Sequence, residues 1–192
     1  MNKEPLTKLT PRFESALVYA CQLHGNQTRK ISGVPYVSHL LSVAALVLED
    51  GGDENQAIAA LLHDAIEDQG GKPTALAIRQ QFGDSVADLV EACTESDTIP
   101  KPPWLERKQH YIETFRHAPE HIRRVMLADK LHNARCNLTE WHRYGEQAWS
   151  FFATGKEGLV WFYRSIVSAS REIGHSFLAD ELERVVEKLE QL

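Results

Sequence analysis

Cysteine is scarce in this sequence and poorly placed for cross-linking: Cys21, Cys93 and Cys136 are odd in number, widely spaced and outside any C-x-x-C pattern. A disulfide framework and a thiolate zinc site are therefore not indicated. No apolar run approaches membrane-spanning length, and the opening MNKEPLTKLT has no apolar signal core. A cytoplasmic protein is the expectation. Positive charge is not in excess either, because 21 Lys and Arg against 27 Asp and Glu leave a formal −6. That balance disfavours a nucleic-acid partner, so an anionic substrate must be held by a local basic site or a metal ion. Also missing are segments that alternate apolar and polar residues with period two, low-complexity tracts, heptads and repeats, and a sheet is not expected.

What is present reads as one helix after another. The 192 residues suffice for one sizeable core, so a single domain over 1–192 is expected, its motif-bearing part at about 10–173 and a last helix at about 177–190. Thr10-Pro11 is a cap and first-turn proline for a helix with the stripe Phe13, Ala16, Leu17, Ala20, Leu23, stopping near Gly25. Pro35 opens a second helix that carries His39 and ends at Gly51-Gly52, and a third runs from Glu54 to about Ile66. Shorter helices over Thr74–Phe82 and Ser85–Cys93 precede the loop TESDTIPKPP. Helices over Trp104–His117, from Pro119 onward, over Gly158–Ile173 and over Phe177–Leu189 follow. The fold class is all-α, a bundle of about eight to ten helices.

Asp129 breaks this pattern. Ile122, Val125, Met126, Asp129 and Asn133 fall at i, i+3, i+4, i+7 and i+11 of one stripe, so a carboxylate stands where leucine belongs. Burying it unpaired would cost several kcal/mol, and a cation or a metal ion must meet it. A shifted register, with Asp129 on a solvated face, is the alternative. His63 and Asp64 are a second anomaly: they end the apolar run AIAALL and lead into Glu67 and Asp68, three acids at a helix end whose dipole prefers cations.

Imidazole nitrogen with carboxylate oxygen suits Mn, Fe or Zn better than Mg. With His39 upstream and Asp129 downstream, four candidate ligands lie on three helices. Glu67 and Asp68 follow His63 and Asp64 by four residues each, one turn on, where they can act on water at the ion. A metal ion lowers the pKa of its water from ~15.7 toward ~7 and offsets charge on a phosphoryl oxygen. Metal-assisted hydrolysis of a phosphate ester follows. A lone buried histidine is more often a core residue, so the reading rests on the combination.

The order His39, His63-Asp64, Asp129 resembles the HD superfamily of metal-dependent phosphohydrolases. The strings HGNQTRKISGVPYVSH, AALLHDAIEDQG, QFGDSVADLVEACT and LADKLHNAR, in that order from His24 to Arg135, resemble the (p)ppGpp hydrolase domain of RelA/SpoT-type proteins. The resemblance implies Mn²⁺ held by His39, His63, Asp64 and Asp129, with Glu67 and Asp68 activating water to remove the 3′-pyrophosphate and leave GDP or GTP. It also implies that Arg29 and Lys30 line the nucleotide pocket, where a guanidinium can stack on a purine and both charges can meet phosphate. Asn133 matches a contact to the nucleotide or its sugar. A solvated basic pair and a packing amide are the plain alternatives for these three.

Arg107 and Lys108 read either as phosphate contacts or as a solvated helix face, His24 as a pocket residue, as a support to the metal ligands or, the preferred reading, as a structural histidine, and Gly33, Pro35 and Tyr36 as loop shape. Cys136 stands where the family often has Thr, a weaker hydrogen-bonding group that puts guanine selectivity in question. The resemblance leaves no room for synthetase or regulatory domains, so a small stand-alone alarmone hydrolase is expected. Its partner is a small nucleotide, with no nucleic acid and no membrane; the aromatic-rich last helices can close the pocket, form an interface with a second copy of the chain, or pack the core, the commoner use of such residues. Two other readings stay open. One is the same chemistry on another nucleotide such as (p)ppApp or NADPH; the other is a non-catalytic nucleotide-binding or antitoxin module, against which the Glu67-Asp68 pair argues.

Overall fold

The computed structural model describes residues 7–96, 98 and 100–192. Met1–Leu6 of the opening segment, and Asp97 and Ile99 of the expected loop, lie outside the described residues.

Ten α-helices are described: α1 (Pro11–Leu23), α2 (Val37–Glu49), α3 (Glu54–Leu62), α4 (Ala65–Asp68), α5 (Lys72–Phe82), α6 (Asp84–Cys93), α7 (Trp104–His117), α8 (Glu120–Tyr144), α9 (Gly155–Ile173) and α10 (Phe177–Glu190). A 3-10 segment, Gly145–Phe151, joins α8 to the turn before α9. The expected all-α class is what the chain adopts, with no strand among the described residues.

Local chemistry explains the boundaries. Thr10 caps α1, its hydroxyl accepting from the Arg12 amide at 3.2 Å, and Asp53 caps α3 by accepting from the Gln56 amide at 2.9 Å. After α2 the chain turns so tightly that a Cβ on Gly52 would lie 2.5 Å from Val47 Cγ1 and 2.7 Å from its carbonyl oxygen. Only glycine permits that approach.

The third helix is shorter than the apolar pattern implied. It stops at Leu62, and a separate turn of helix, α4, begins at Ala65. His63 Nδ1 bonds the Ala60 carbonyl at 2.8 Å, the acceptor that a continued helix would offer to the Asp64 amide. The side chain takes over from the backbone, and the chain bends at the His-Asp pair.

Two helices form the centre. In α3 every residue from Gln56 to Leu62 is buried, and α8 is buried on all sides from Val125 to Leu131. The one-sided stripe read for α8 is thus only part of a central helix. Around this pair pack α1, α2, α6 and α10, and the buried apolar residues from Ala16 to Leu189 form one cluster. The arrangement brings His39 of α2, the bend after α3 and Asp129 of α8 to the same place.

Candidate active site

At that place four donor atoms converge. His39 Nε2 lies 3.3 Å from His63 Nε2, 3.2 Å from Asp129 Oδ1 and 3.6 Å from Asp64 Oδ2. His63 Nε2 lies 3.0 Å from Asp64 Oδ2 and 3.5 Å from Asp129 Oδ1. Metal bonds of about 2.0–2.2 Å place neighbouring ligand atoms about 3.0–3.5 Å apart, so the spacing fits a divalent ion. His39, His63 and Asp129 are buried, and such a group would be costly if nothing shared its charge.

The surroundings orient these donors. His63 gives its Nδ1–H to the Ala60 carbonyl, which leaves Nε2 as the nitrogen aimed into the cluster. His39 Nδ1 meets His132 Nδ1 at 2.7 Å, so its Nε2 is likewise the inward atom. Tyr36 donates its hydroxyl hydrogen to Asp64 Oδ2 at 2.5 Å. Asp129 is anchored twice: Oδ1 accepts from Asn133 Nδ2 at 2.5 Å, and Oδ2 is 2.7 Å from Lys130 Nζ.

Electrostatics follow this geometry. Burial alone would raise both carboxyls, yet His63 and His39 hold Asp64, and Lys130 with the two histidines holds Asp129, well below the usual carboxylate range. Burial alone would lower His63, but Asp64 and Asp129 outweigh it and raise the imidazole well above its ordinary value. The two carboxylates thus favour the protonated form of His63, with which a bound ion would compete.

Asp68 and Glu67 go different ways. Asp68 borders the adjoining cleft, accepts from Gln27 Nε2 at 2.7 Å, and is raised by burial and by Asp64. Glu67 meets the loop after α6, its Oε2 accepting from the Glu95 amide at 3.1 Å and its Oε1 lying 2.7 Å from Lys101 Nζ.

The cleft, of about 440 Å³, is lined by Arg29, Lys30, Tyr36, Asn133 and Asp68 among others. Arg29 donates to Asn133 Oδ1 at 2.7 Å and lies over the Tyr36 ring. Lys30 Nζ donates to the Phe151 carbonyl. The two basic residues and Asn133 expected to meet the nucleotide therefore share one wall, and Asn133 connects it to the Asp129 carboxylate.

Several residues acting here were not singled out from the sequence. Tyr36, read as loop shape, holds a cluster carboxylate. His132, inside the string LADKLHNAR, orients His39; burial, with His39 and Arg29, lowers it to about 4 and keeps it neutral. Lys130 is the cation beside Asp129, overlooked because helix neighbours at i and i+1 do not ordinarily face one another. Its ammonium lies over the Tyr111 ring and shares Glu95 with Arg107 and Lys108. Those last two are thus largely enclosed around a carboxylate, neither a solvated face nor open to a phosphate. His24 is the buried structural histidine expected, 2.6 Å from Gln27 Oε1 and stacked on Tyr36.

Fold and site together define a helical protein with a buried His/His/Asp centre able to hold a divalent metal ion beside a cleft that Arg29 and Lys30 line. The HD domain family matches residues 16–153, and the chain belongs to that family. Guanosine-3′,5′-bis(diphosphate) 3′-pyrophosphohydrolase MESH1 of Mus musculus is 36% identical over 136 residues, 67% of this chain and 73% of that protein. The Xenopus tropicalis protein of the same name is 38% identical over 120 residues, 61% of this chain, which spans 64% of its length. The solved structure of a metazoan orthologue of SpoT, described as hydrolysing ppGpp and acting in starvation responses, superposes with a TM-score of 0.79. It is 25% identical, with 97% of this chain and 99% of that one covered. Among the described residues no helix is long and apolar enough to cross a membrane.

Proposed function

We propose that this chain is a metal-dependent hydrolase that removes the 3′-pyrophosphate of (p)ppGpp, releasing GDP or GTP, and that Mn²⁺ is its ion. The observation that carries this reading is the convergence of His39, His63, Asp64 and Asp129 beside a cleft lined by Arg29, Lys30, Tyr36 and Asn133, with Tyr36 bonded to Asp64 and Asn133 to Asp129. The relatives' activity supports the choice of substrate.

His39, His63, Asp64 and Asp129 hold the ion. When bound, it lowers the pKa of water and offsets charge that develops on phosphoryl oxygen. Arg29 and Lys30 face the nucleotide, and Asn133 fixes it relative to Asp129. Asp68, its carboxyl raised toward the useful range, takes the proton of the attacking water at the oxygen opposite the one Gln27 holds. Glu67 is assigned to orient that water, for which one of its oxygens must leave the Glu95 amide or Lys101. Water adds to the phosphorus on O3′, the O3′–P bond breaks, and the O3′ oxygen leaves with a proton as a free hydroxyl. The activity belongs to one domain of residues 1–192, acting in the cytoplasm.

The decisive assay gives metal-depleted protein ppGpp with and without Mn²⁺. Release of GDP and pyrophosphate only with Mn²⁺ is expected; no release while the ion is demonstrably bound would overturn the assignment.

The raised His63 makes a second expectation. An ion must displace its proton, so the apparent Mn²⁺ affinity rises with pH through and beyond the ordinary imidazole range and levels off only above the raised folded-state value. Calorimetry in buffers of different ionisation heat should show proton release on binding, and none at any pH would remove His63 from the ligand set. Ion-free stability behaves oppositely. The raised His63 stabilises fully below its unfolded value of about 6.5, and that contribution is lost as pH rises through the folded one; the depressed Asp64 and Asp129 stabilise above about 3.9, lost as pH falls through theirs.

A further inference from the structure

The cleft holds one carboxylate that the hydrolysis does not use. Glu140 of α8 is only 6% exposed, yet it borders the cleft together with Asn133, Asn137 and Tyr163. Asp129, Asn133, Asn137 and Glu140 stand at i, i+4, i+8 and i+11, one row along one helix. Asp129 marks the catalytic end of that row, and Glu140 lies about 16 Å farther along the axis. A nucleotide with its 3′-phosphates at Asp129 spans the intervening turns and brings its base to Glu140.

We infer that Glu140 reads the base, accepting from the N1–H and the exocyclic N2–H of guanine. The inference rests on the nucleotide reading above and adds a specificity determinant to it. A carboxylate offers two oxygens and about four acceptor sites. Guanine presents two adjacent donors to such a pair, whereas adenine presents a ring-nitrogen lone pair at the N1 position. The first arrangement is a bidentate bond; the second sets a lone pair against a buried anion.

The neighbourhood leaves part of this carboxylate open to the cleft. Asn137 gives its amide hydrogen to the Tyr163 hydroxyl at 2.9 Å and holds the floor of the cleft. Arg29 is occupied with Asn133. Burial raises the Glu140 carboxyl, opposed by the Arg29 charge and by hydrogen bonding from the Ser32 amide and hydroxyl on the loop before α2. A carboxylate has about four acceptor sites, so Ser32 leaves room for a ligand's donors. Glu140 also offers a source of guanine selectivity where Cys136 provides only a weak hydrogen-bonding group.

Calorimetric titration of GDP and of ADP into the Mn²⁺-loaded protein and its Glu140→Gln variant tests this without relying on turnover. The wild type is expected to bind GDP at least about tenfold more tightly than ADP, and Glu140→Gln to lose most of that ratio through weaker GDP binding, with ADP changed by less than about twofold. Glu140→Asp, which keeps the charge but draws it back, should retain part of the preference. A wild type with no preference for GDP, or a ratio unchanged by Glu140→Gln, overturns the inference. A clear GDP preference lost in the variant, in a protein that does not hydrolyse ppGpp, would uphold Glu140 as the base reader and overturn the hydrolase reading instead.

Discussion

Replacing Asp64 with alanine should abolish both Mn²⁺ binding and ppGpp hydrolysis, whereas Glu67→Gln or Asp68→Asn should keep the ion and lose turnover. Asp64 Oδ2 faces both histidine nitrogens, and its removal takes a charged donor from a four-donor set. The acid pair touches other groups: Gln27 holds Asp68, and Lys101 and the Glu95 amide hold Glu67. Loss of a positioned acid or base lowers kcat by about 10²–10⁴-fold. Metal affinity by calorimetry and kcat by pyrophosphate release separate the two classes of variant. Substantial turnover by Asp64→Ala would mean that the ion is held elsewhere; loss of the ion from Asp68→Asn would make that residue a ligand.

Asp129→Ala should lose the ion as well, but with a larger cost in stability than Asp64→Ala. The Asp129 carboxylate neutralises Lys130 in the interior of α8 and accepts from Asn133. Removing one partner of a buried ion pair costs about 3–5 kcal/mol, because the other charge stays in a low-dielectric site. Glu95, 3.6 Å from the Lys130 ammonium, remains as a partial partner, which places the effect at the lower end. At about 2–4 °C per kcal/mol for a chain of this size, the ion-free protein should melt roughly 6–12 °C lower. Asp129→Ala combined with Lys130→Met should recover much of that fall while leaving the metal site empty. Equal melting points for the single and double variants would show that the pair contributes little to the fold.

These two aspartates also show how much the chain discloses before it folds. Asp129 was legible as an anomaly because helical periodicity is local: a carboxylate at i+7 of an apolar stripe needs no tertiary information to be noticed, nor does a His-Asp pair ending the run AIAALL. The same locality accounts for the all-α class and for most helix limits, since a Thr cap, a first-turn proline or a terminal glycine acts within a few residues. The break after Leu62 escaped that reading. It depends on an imidazole competing for a backbone carbonyl, and side-chain direction is not written in periodicity.

What the sequence by itself determined was therefore the set of helices and the residue types able to bind an ion, because both follow from short-range spacing. The tertiary structure alone decided the partners. Packing α2 and the bend after α3 against α8 places Tyr36 on Asp64 and His132 on His39. It puts Glu95, 35 residues before Lys130 in the chain, beside that ammonium, and Glu140 on the lining of the cleft. Such contacts are set by where a folded backbone returns to itself. The energy that fixes them comes from burying charge in company, which no stretch of chain can do alone.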